Sequence, residues 1–309
     1  MKQLLALLLL ASLSASAQHE APKAPAIEGR WDLTLHQKDR KAPSWLEVSH
    51  SGIKTLVGQF VADGGSARPI SEVFHNNGKF HFAIPAQWEN TNMDHIVEGT
   101  VNGDSMSGTV RLPNGNTWPF TGVRAPSLSR SGKVSWGSPI KLFNGKDLTG
   151  WTALGKTNQW VVENGVLKSP QSGANIRSEK TFTDFKLHIE FRYPAGSNSG
   201  VYLRGRYEVQ VDDAMGMEPT KGDLGAIYGF IKPNEVPAKP AGEWQSYDIT
   251  LIGRFVTVAL NGKTIIFNQE IPGITGGAID SNEGQPGPIM MQGDHGPIEY
   301  RNIIITPAK

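Results

Sequence analysis

The sequence predicts an all-β protein in two parts: a small antiparallel barrel or sandwich, then a larger domain of two packed sheets. Three observations carry this. Among 309 residues there are 35 glycines and 20 prolines, and turn pairs such as Asn-Gly recur along the chain. Long runs with a helical period are missing. Between the turns, apolar and polar residues alternate, the period that buries one face of a strand. Many short strands divided by turns give a β class, and the length suits one large or two ordinary domains.

The first segment, 1–17, reads as an export signal. Lys2 precedes an apolar run from Leu4 to Leu13, and Ala15-Ser16-Ala17 is a small-residue cleavage site. The run is too short to span a bilayer. The chain has no cysteine, so no disulfide forms and no cysteine carries a lipid. Export without disulfides suits a bacterial periplasmic or extracellular protein. Residues 18–26 are an Ala/Pro/Lys-rich flexible lead-in. A net charge of +1 without a basic stripe or acidic tail argues against nucleic acid and anionic membrane as partners. Oligomeric state is not legible.

Residues 27–124 form the small domain. Trp31, Leu33 and Leu35 alternate with Asp32, Thr34 and His36, and similar runs follow, with turns at Asn77-Gly78, Asn102-Gly103 and Asn114-Gly115. About seven or eight strands are expected. Trp45, Trp88 and Trp118 either line a sugar-binding surface or fill the core, the commoner fate of isolated tryptophans. The polar loop Pro85–His95 is the expected contact to substrate or to the second domain. Residues 125–139, rich in Ser, Gly and Pro, read as a linker that Trp136 could pin to a neighbour.

The second domain runs over 140–309. About twelve strands are expected there, including one at Ala226–Tyr228 and a tight hairpin at Asn261-Gly262, too many for one open sheet. The stretch Asp184–Asp213 is the most informative. Leu187, Ile189 and Phe191 alternate with His188, Glu190 and Arg192. Val201 and Leu203 alternate with Tyr202 and Arg204, and Tyr207, Val209 and Val211 with Glu208, Gln210 and Asp212. If these strands are neighbours, their polar residues gather on one sheet face as a functional patch; the bland alternative is a solvated face.

Seven short motifs then occur in order: LFNGKDLTGW from Leu142, the Phe182–Arg192 run, NSGVYLRGRYEVQVDD from Asn198, GAIYG from Gly225, GEWQSYDI from Gly242, LNGK from Leu260, and MQGDHGPIEYRNI from Met291. Together they closely resemble the 3-keto-disaccharide hydrolase family over essentially all of 140–309. Gln245 departs from it, standing where Asn is commoner. The resemblance implies a concanavalin/lectin-like jelly-roll sandwich, secretion, a carbohydrate substrate, and action on glycosides whose C3 hydroxyl has been oxidised to a ketone. A 3-keto group acidifies the C2 proton, so cleavage needs a base at C2, donors for the enolate oxygen and an acid for the leaving oxygen.

Glu208, His295, Glu190 and Asp212 are the candidate acids and bases, with Glu208 or His295 as the base. Arg192, Arg204, Gln210 and Gln292 are candidate donors to substrate, and Tyr228 and Trp244 candidate ring platforms. Each has a structural alternative: Glu190 with Arg192 and Arg204 as a cross-strand ion-pair network and Arg301 as a partner of some carboxylate across the sheet, His295 as a turn residue, Trp244 as core. Glu208 and Asp212 lie about 13 Å apart along one strand, against about 5–5.5 Å for a retaining pair of carboxylates. Gln210 lies between them, where a laminarinase-like glucanase carries an acid. No cofactor is required. No zinc pattern occurs, although Asp280, Asn282 and Glu283, or Asp212-Asp213 with Asp223, are oxygen-rich candidates for calcium. A lectin-type binding protein, a conventional glycoside hydrolase and a cell-surface scaffold remain the rival readings.

Overall fold

The computed structural model describes residues 26–309, which are all β. The export signal and nearly all of the lead-in lie outside the described residues.

The first domain is a single nine-stranded antiparallel sheet. Its strands are β1 (Gly29–His36), β2 (Lys41–Ser51), β3 (Thr55–Val61), β4 (Arg68–Ile70), β5 (Phe74–Asn76), β6 (Lys79–Ile84), β7 (His95–Asn102), β8 (Ser105–Arg111) and β9 (Thr117–Arg124). Two meanders join where β1 pairs with β9, giving the order β4-β3-β2-β1-β9-β8-β7-β6-β5. The sheet curls around Trp31, Leu33, Leu35, Phe60, Phe82 and Phe120, all buried. Asp32 is buried as well, on the other face of β1, so this strand is covered from both sides.

The second domain contains β10 (Ile140–Lys141), β11 (Trp151–Leu154), β12 (Val161–Glu163), β13 (Val166–Ser169), β14 (Asn175–Phe182), β15 (Phe185–Arg192), β16 (Asn198–Leu203), β17 (Tyr207–Asp212), β18 (Gln245–Ile252), β19 (Phe255–Leu260), β20 (Lys263–Glu270), β21 (Gly287–Met291) and β22 (Ile298–Pro307). One sheet runs β12-β13-β22-β15-β18-β19-β20, with β10 added on β22; the other runs β11-β14-β21-β16-β17. Ile189, Phe191, Tyr247 and Ile249 from the first meet Val201, Leu203, Tyr207, Val209 and Val211 from the second in one core. Each such side chain contributes roughly 1.5–3 kcal/mol by leaving water. This is the expected two-sheet sandwich. The expected strand at Ala226–Tyr228 is instead a short cover over the free edge of β17. Gln210 N donates to Ala226 O (3.0 Å) and Tyr228 N to Glu208 O (3.1 Å), which removes an exposed edge.

The domains pack through glycines. A Cβ on Gly273 would lie 2.0 Å from Trp45 Nε1, and one on Gly276 would lie 2.2 Å from Gly65 O, so both positions need bare backbone. Trp45 stands edge-on to Phe230 at 5.1 Å and joins the second domain's core, as the core reading of this residue expects. Trp136 bridges to Ala308 and lies under Lys186 at 4.8 Å, which pins the linker to the second domain.

Candidate active site

Because both sheets bury their apolar sides against each other, their polar sides point to opposite surfaces of the sandwich. The patch expected from Asp184–Asp213 therefore divides. β15 lies in one sheet, β16 and β17 in the other.

On the five-stranded sheet the cross-strand pairs are Tyr202 with Glu208, Gly200 with Gln210, and Asn198 with Asp212. Tyr202, Glu208, Gln210 and Asn198, with Asn175 and Gln292 alongside, floor a cleft of about 500 Å³. Tyr228, Asp294 and His295 stand on one side. Arg40, Pro43, Asp63, Gly64 and Gly65 of the first domain form a further wall.

Glu208 is 3 % exposed, in the floor. A Cβ on Gly200 would lie 2.2 Å from its Oε1, so this carboxyl occupies space that only glycine leaves open. Its Oε2 is 2.9 Å from the Tyr202 hydroxyl, which also reaches Gly276 O at 3.0 Å. Burial pushes the Glu208 carboxyl up to about 8; the Tyr202 hydrogen bond and the charge of His295 act against that shift. His295 is held by Asp294, Nδ1 to Oδ1 at 2.7 Å, and this bond raises its pKa above the ordinary histidine value. Gln210 donates from Nε2 to Gly222 O at 3.1 Å. The buried Oε1 atoms of Gln210 and Gln292 accept nothing from the protein.

Of the sequence candidates, Glu208, His295, Gln210, Gln292 and Tyr228 come together here. Asp212 shares the strand face but lies beyond the cleft lining. Burial, then the charge of Asp223, raises it to about 7. Glu190, Arg192 and Trp244 are corrected to the far surface. There Glu190 accepts from Arg301 Nε (2.6 Å) and Asn302 (2.7 Å), and Arg192 from Nε donates to Glu299 (2.6 Å). Trp244 lies beneath the Arg301 guanidinium at 3.9 Å, a cation–π stack in place of a sugar platform. Arg204 is buried at the hairpin turn with φ +53°, donating to Gly253 O (2.6 Å) and Tyr207 Oη (3.1 Å), so it does not face substrate. Gln245 clamps the neighbouring loop, accepting from Lys239 N (3.0 Å) and Asn261 Nδ2 (2.7 Å).

At Asp280–Glu283 both carboxylates are bonded to protein groups. Asp280 takes Arg206 at 2.8 and 3.2 Å, while Glu283 takes Arg254 and the Tyr207 hydroxyl, both at 2.6 Å. In the Asp212-Asp213 group, Asp213 accepts from Gly196 N at 2.9 Å. The Pro85–His95 loop is tied within the first domain: Glu89 accepts from Arg68 and His95, Arg68 covers Trp88 at 3.7 Å, and a Cβ on Gly65 would lie 2.7 Å from Trp88. Trp118 is half-buried against the first domain's core.

Tyr202, Asn175, Asn198, Asp294, Arg40 and Asp63 are cleft residues that the sequence reading did not select. Tyr202 had a signal: it is the cross-strand partner of Glu208 once the hairpin turn is centred on Gly205. Arg40 and Asp63 had none, since only the packing of the two domains brings them to the cleft.

A family model described as 3-keto-alpha-glucoside-1,2-lyase-like domain matches residues 138–306. A 3-keto-disaccharide hydrolase of Bacteroides thetaiotaomicron is 25 % identical over 166 residues, covering 41 % of this chain and 57 % of that protein. Two solved Parabacteroides distasonis proteins assigned as glycosyl hydrolases are also similar. One is 29 % identical over 57 % of this chain and 92 % of its own, with a TM-score of 0.47. The other is 21 % identical over 55 % and 94 %, also with a TM-score of 0.47.

Proposed function

The chain belongs to the 3-keto-alpha-glucoside-1,2-lyase-like domain family, and on that premise we propose that its cleft cleaves 3-keto-glycosides, with Glu208 taking the C2 proton. The observation that carries this reading is a buried carboxyl in the cleft floor, hydrogen-bonded to a phenol and making no ion pair among the described residues. A base is most effective when its pKa lies near the working pH. Burial alone moves a carboxyl in that direction.

The reaction follows from these groups. Ionised Glu208 accepts the proton from C2, and the electron pair moves onto the C3 oxygen as an enolate. The enolate collapses toward C1 and the C1–O bond breaks. Protonated His295, at the side of the cleft, gives its proton to the departing oxygen. Water then adds at C1 of the enone and gives a proton back to the now neutral His295, while Glu208 returns its proton to C2, so the net change is hydrolysis. Gln210 and Gln292 line the same cleft and hold the ring in place. Asn175 and Asn198 offer amide donors on the same floor. The proposal includes export, so that the enzyme meets oxidised glycans outside the cytoplasm.

The test is product analysis with a 3-keto-disaccharide and its unoxidised parent in deuterated water, with and without a chelator. Cleavage of the keto sugar alone, with deuterium entering at C2, is the expected result. Cleavage of the parent sugar would mean conventional glycoside hydrolysis. Binding of either sugar without cleavage would leave a lectin.

A further inference from the structure

We propose that the first domain builds the leaving-group subsite, with Arg40 and Asp63 reading the hydroxyls of a second sugar ring. This rests on the glycoside-cleaving reading of the cleft. The matched family region begins at residue 138, so none of this wall belongs to it.

The wall is physically continuous with the reacting carboxyl. Glu208 bonds the Tyr202 hydroxyl, and that hydroxyl reaches the carbonyl of Gly276. Gly276 in turn abuts Gly65, so closely that a Cβ between them would lie 2.2 Å from Gly65 O. A substrate lying on the floor therefore meets the first domain within one residue's width of the phenol. The keto ring must sit over Glu208 for its C2 proton to be taken. In the proposed orientation C1 is turned toward the wall, and the group it carries extends onto the first domain.

The side chains there are linked to one another yet open to the cleft, with Arg40 62 % exposed. Gln37 donates from Nε2 to Asp63 Oδ2 at 2.7 Å and accepts from Arg40 Nε at 2.7 Å. Arg40 Nη2 lies 3.5 Å from the same Asp63 oxygen. The chain of three fixes a guanidinium beside a carboxylate. Asp63 Oδ1 and Arg40 Nη1 have no protein partner among the described residues. A paired acceptor and donor match two adjacent hydroxyls of a pyranose, one donating and one accepting. A methyl or plain aryl leaving group offers neither.

The experiment compares kcat/KM for a 3-keto-disaccharide and for the corresponding 3-keto phenyl glycoside, in the full chain and in Arg40→Ala and Asp63→Asn. Loss of one charge-assisted hydrogen bond should lower the disaccharide-to-aryl ratio about tenfold in each variant. A ratio within about twofold of the parent value in both variants overturns the subsite. If the parent chain cleaves neither compound, the catalytic reading has failed and the subsite is judged by calorimetry. The unoxidised disaccharide should then bind more tightly than its methyl monoglycoside, and both variants should erase the difference; equal affinities in the parent chain would overturn it.

Discussion

The Tyr202 hydroxyl stands 2.9 Å from Glu208 Oε2 and 3.0 Å from the Gly276 carbonyl, so one phenolic proton faces two acceptors. A neutral Glu208 satisfies all three groups: the acid donates to the phenol and the phenol donates to Gly276. Ionisation turns the phenolic proton toward the carboxylate and frees the carbonyl. The hydrogen bond thus opposes the burial that raises Glu208 to about 8. If Glu208 is the base, kcat/KM climbs with pH along a limb near that value. Tyr202→Phe removes the opposing bond, so the limb should move to higher pH by about one pH unit. A pH–rate profile of both proteins checks this, and an unmoved limb would detach Tyr202 from the titrating group.

Glu208→Gln keeps the shape and removes the base. Loss of a general base lowers kcat about 10²–10⁴-fold. The linkage sign gives an independent readout. The native carboxyl binds its proton more tightly than the unfolded one, so its stabilising contribution is complete below about 4.5, the ordinary value, and is lost as pH rises through about 8. The glutamine variant should gain in Tm relative to the parent from pH 5 to pH 9, by several degrees. Thermal unfolding across that range tests it. Parallel Tm curves would show that Glu208 keeps an ordinary pKa.

Gly200→Ala tests the floor itself. The new methyl would lie 2.2 Å from Glu208 Oε1, and the carboxyl side chain is the part able to yield. Activity should fall about 10²-fold through misplacement of the base. The stability change should be about 1–3 kcal/mol, the usual cost of overpacking. Kinetics with a denaturant titration separate the two. A fully active variant would mean that Glu208 has room to move without consequence.

Local alternation made the β class, the three strands of Asp184–Asp213 and half of the cleft legible in the sequence. Glu208 and Gln210 share a face because a strand has a period of two, and no tertiary knowledge is needed for that. The same period says nothing about which sheet a strand joins. Glu190 and Arg192 obey the same rule as Glu208 and still face the other surface, because β15 pairs with β22 and β18. Arg204 escaped the rule altogether, since its positive φ turns it out of the strand pattern and into the core. Arg40 and Asp63 were invisible because their role depends on glycine-to-glycine packing between sequence positions more than two hundred residues apart. Burial of Asp32 was unreadable for the same reason.

Asp32 of the first domain faces Glu283 of the second, and the two carboxyls are 3 % and 0 % exposed. Glu283 is held by Arg254 and by the Tyr207 hydroxyl, while Arg206, nearby, is engaged with Asp280. Asp32 Oδ1 has no partner. Two buried carboxyls in contact cannot both ionise cheaply. Burial first, and the Glu283 charge second, raise the pKa of Asp32, with Arg254 and Arg206 pulling the other way. The domain contact therefore retains a proton that the unfolded chain gives up near 4. Its stabilising contribution is complete in acid, below the ordinary Asp value, and is lost as pH rises toward the alkaline side. Asp32→Asn imitates the protonated form and needs no proton. The parent should lose Tm between pH 5 and pH 9, and the variant should lose about half as much or less. Calorimetric scans at pH 5, 7 and 9 decide it. Equal slopes would mean that the proton is not held at this contact, and the arginines would then be carrying both charges.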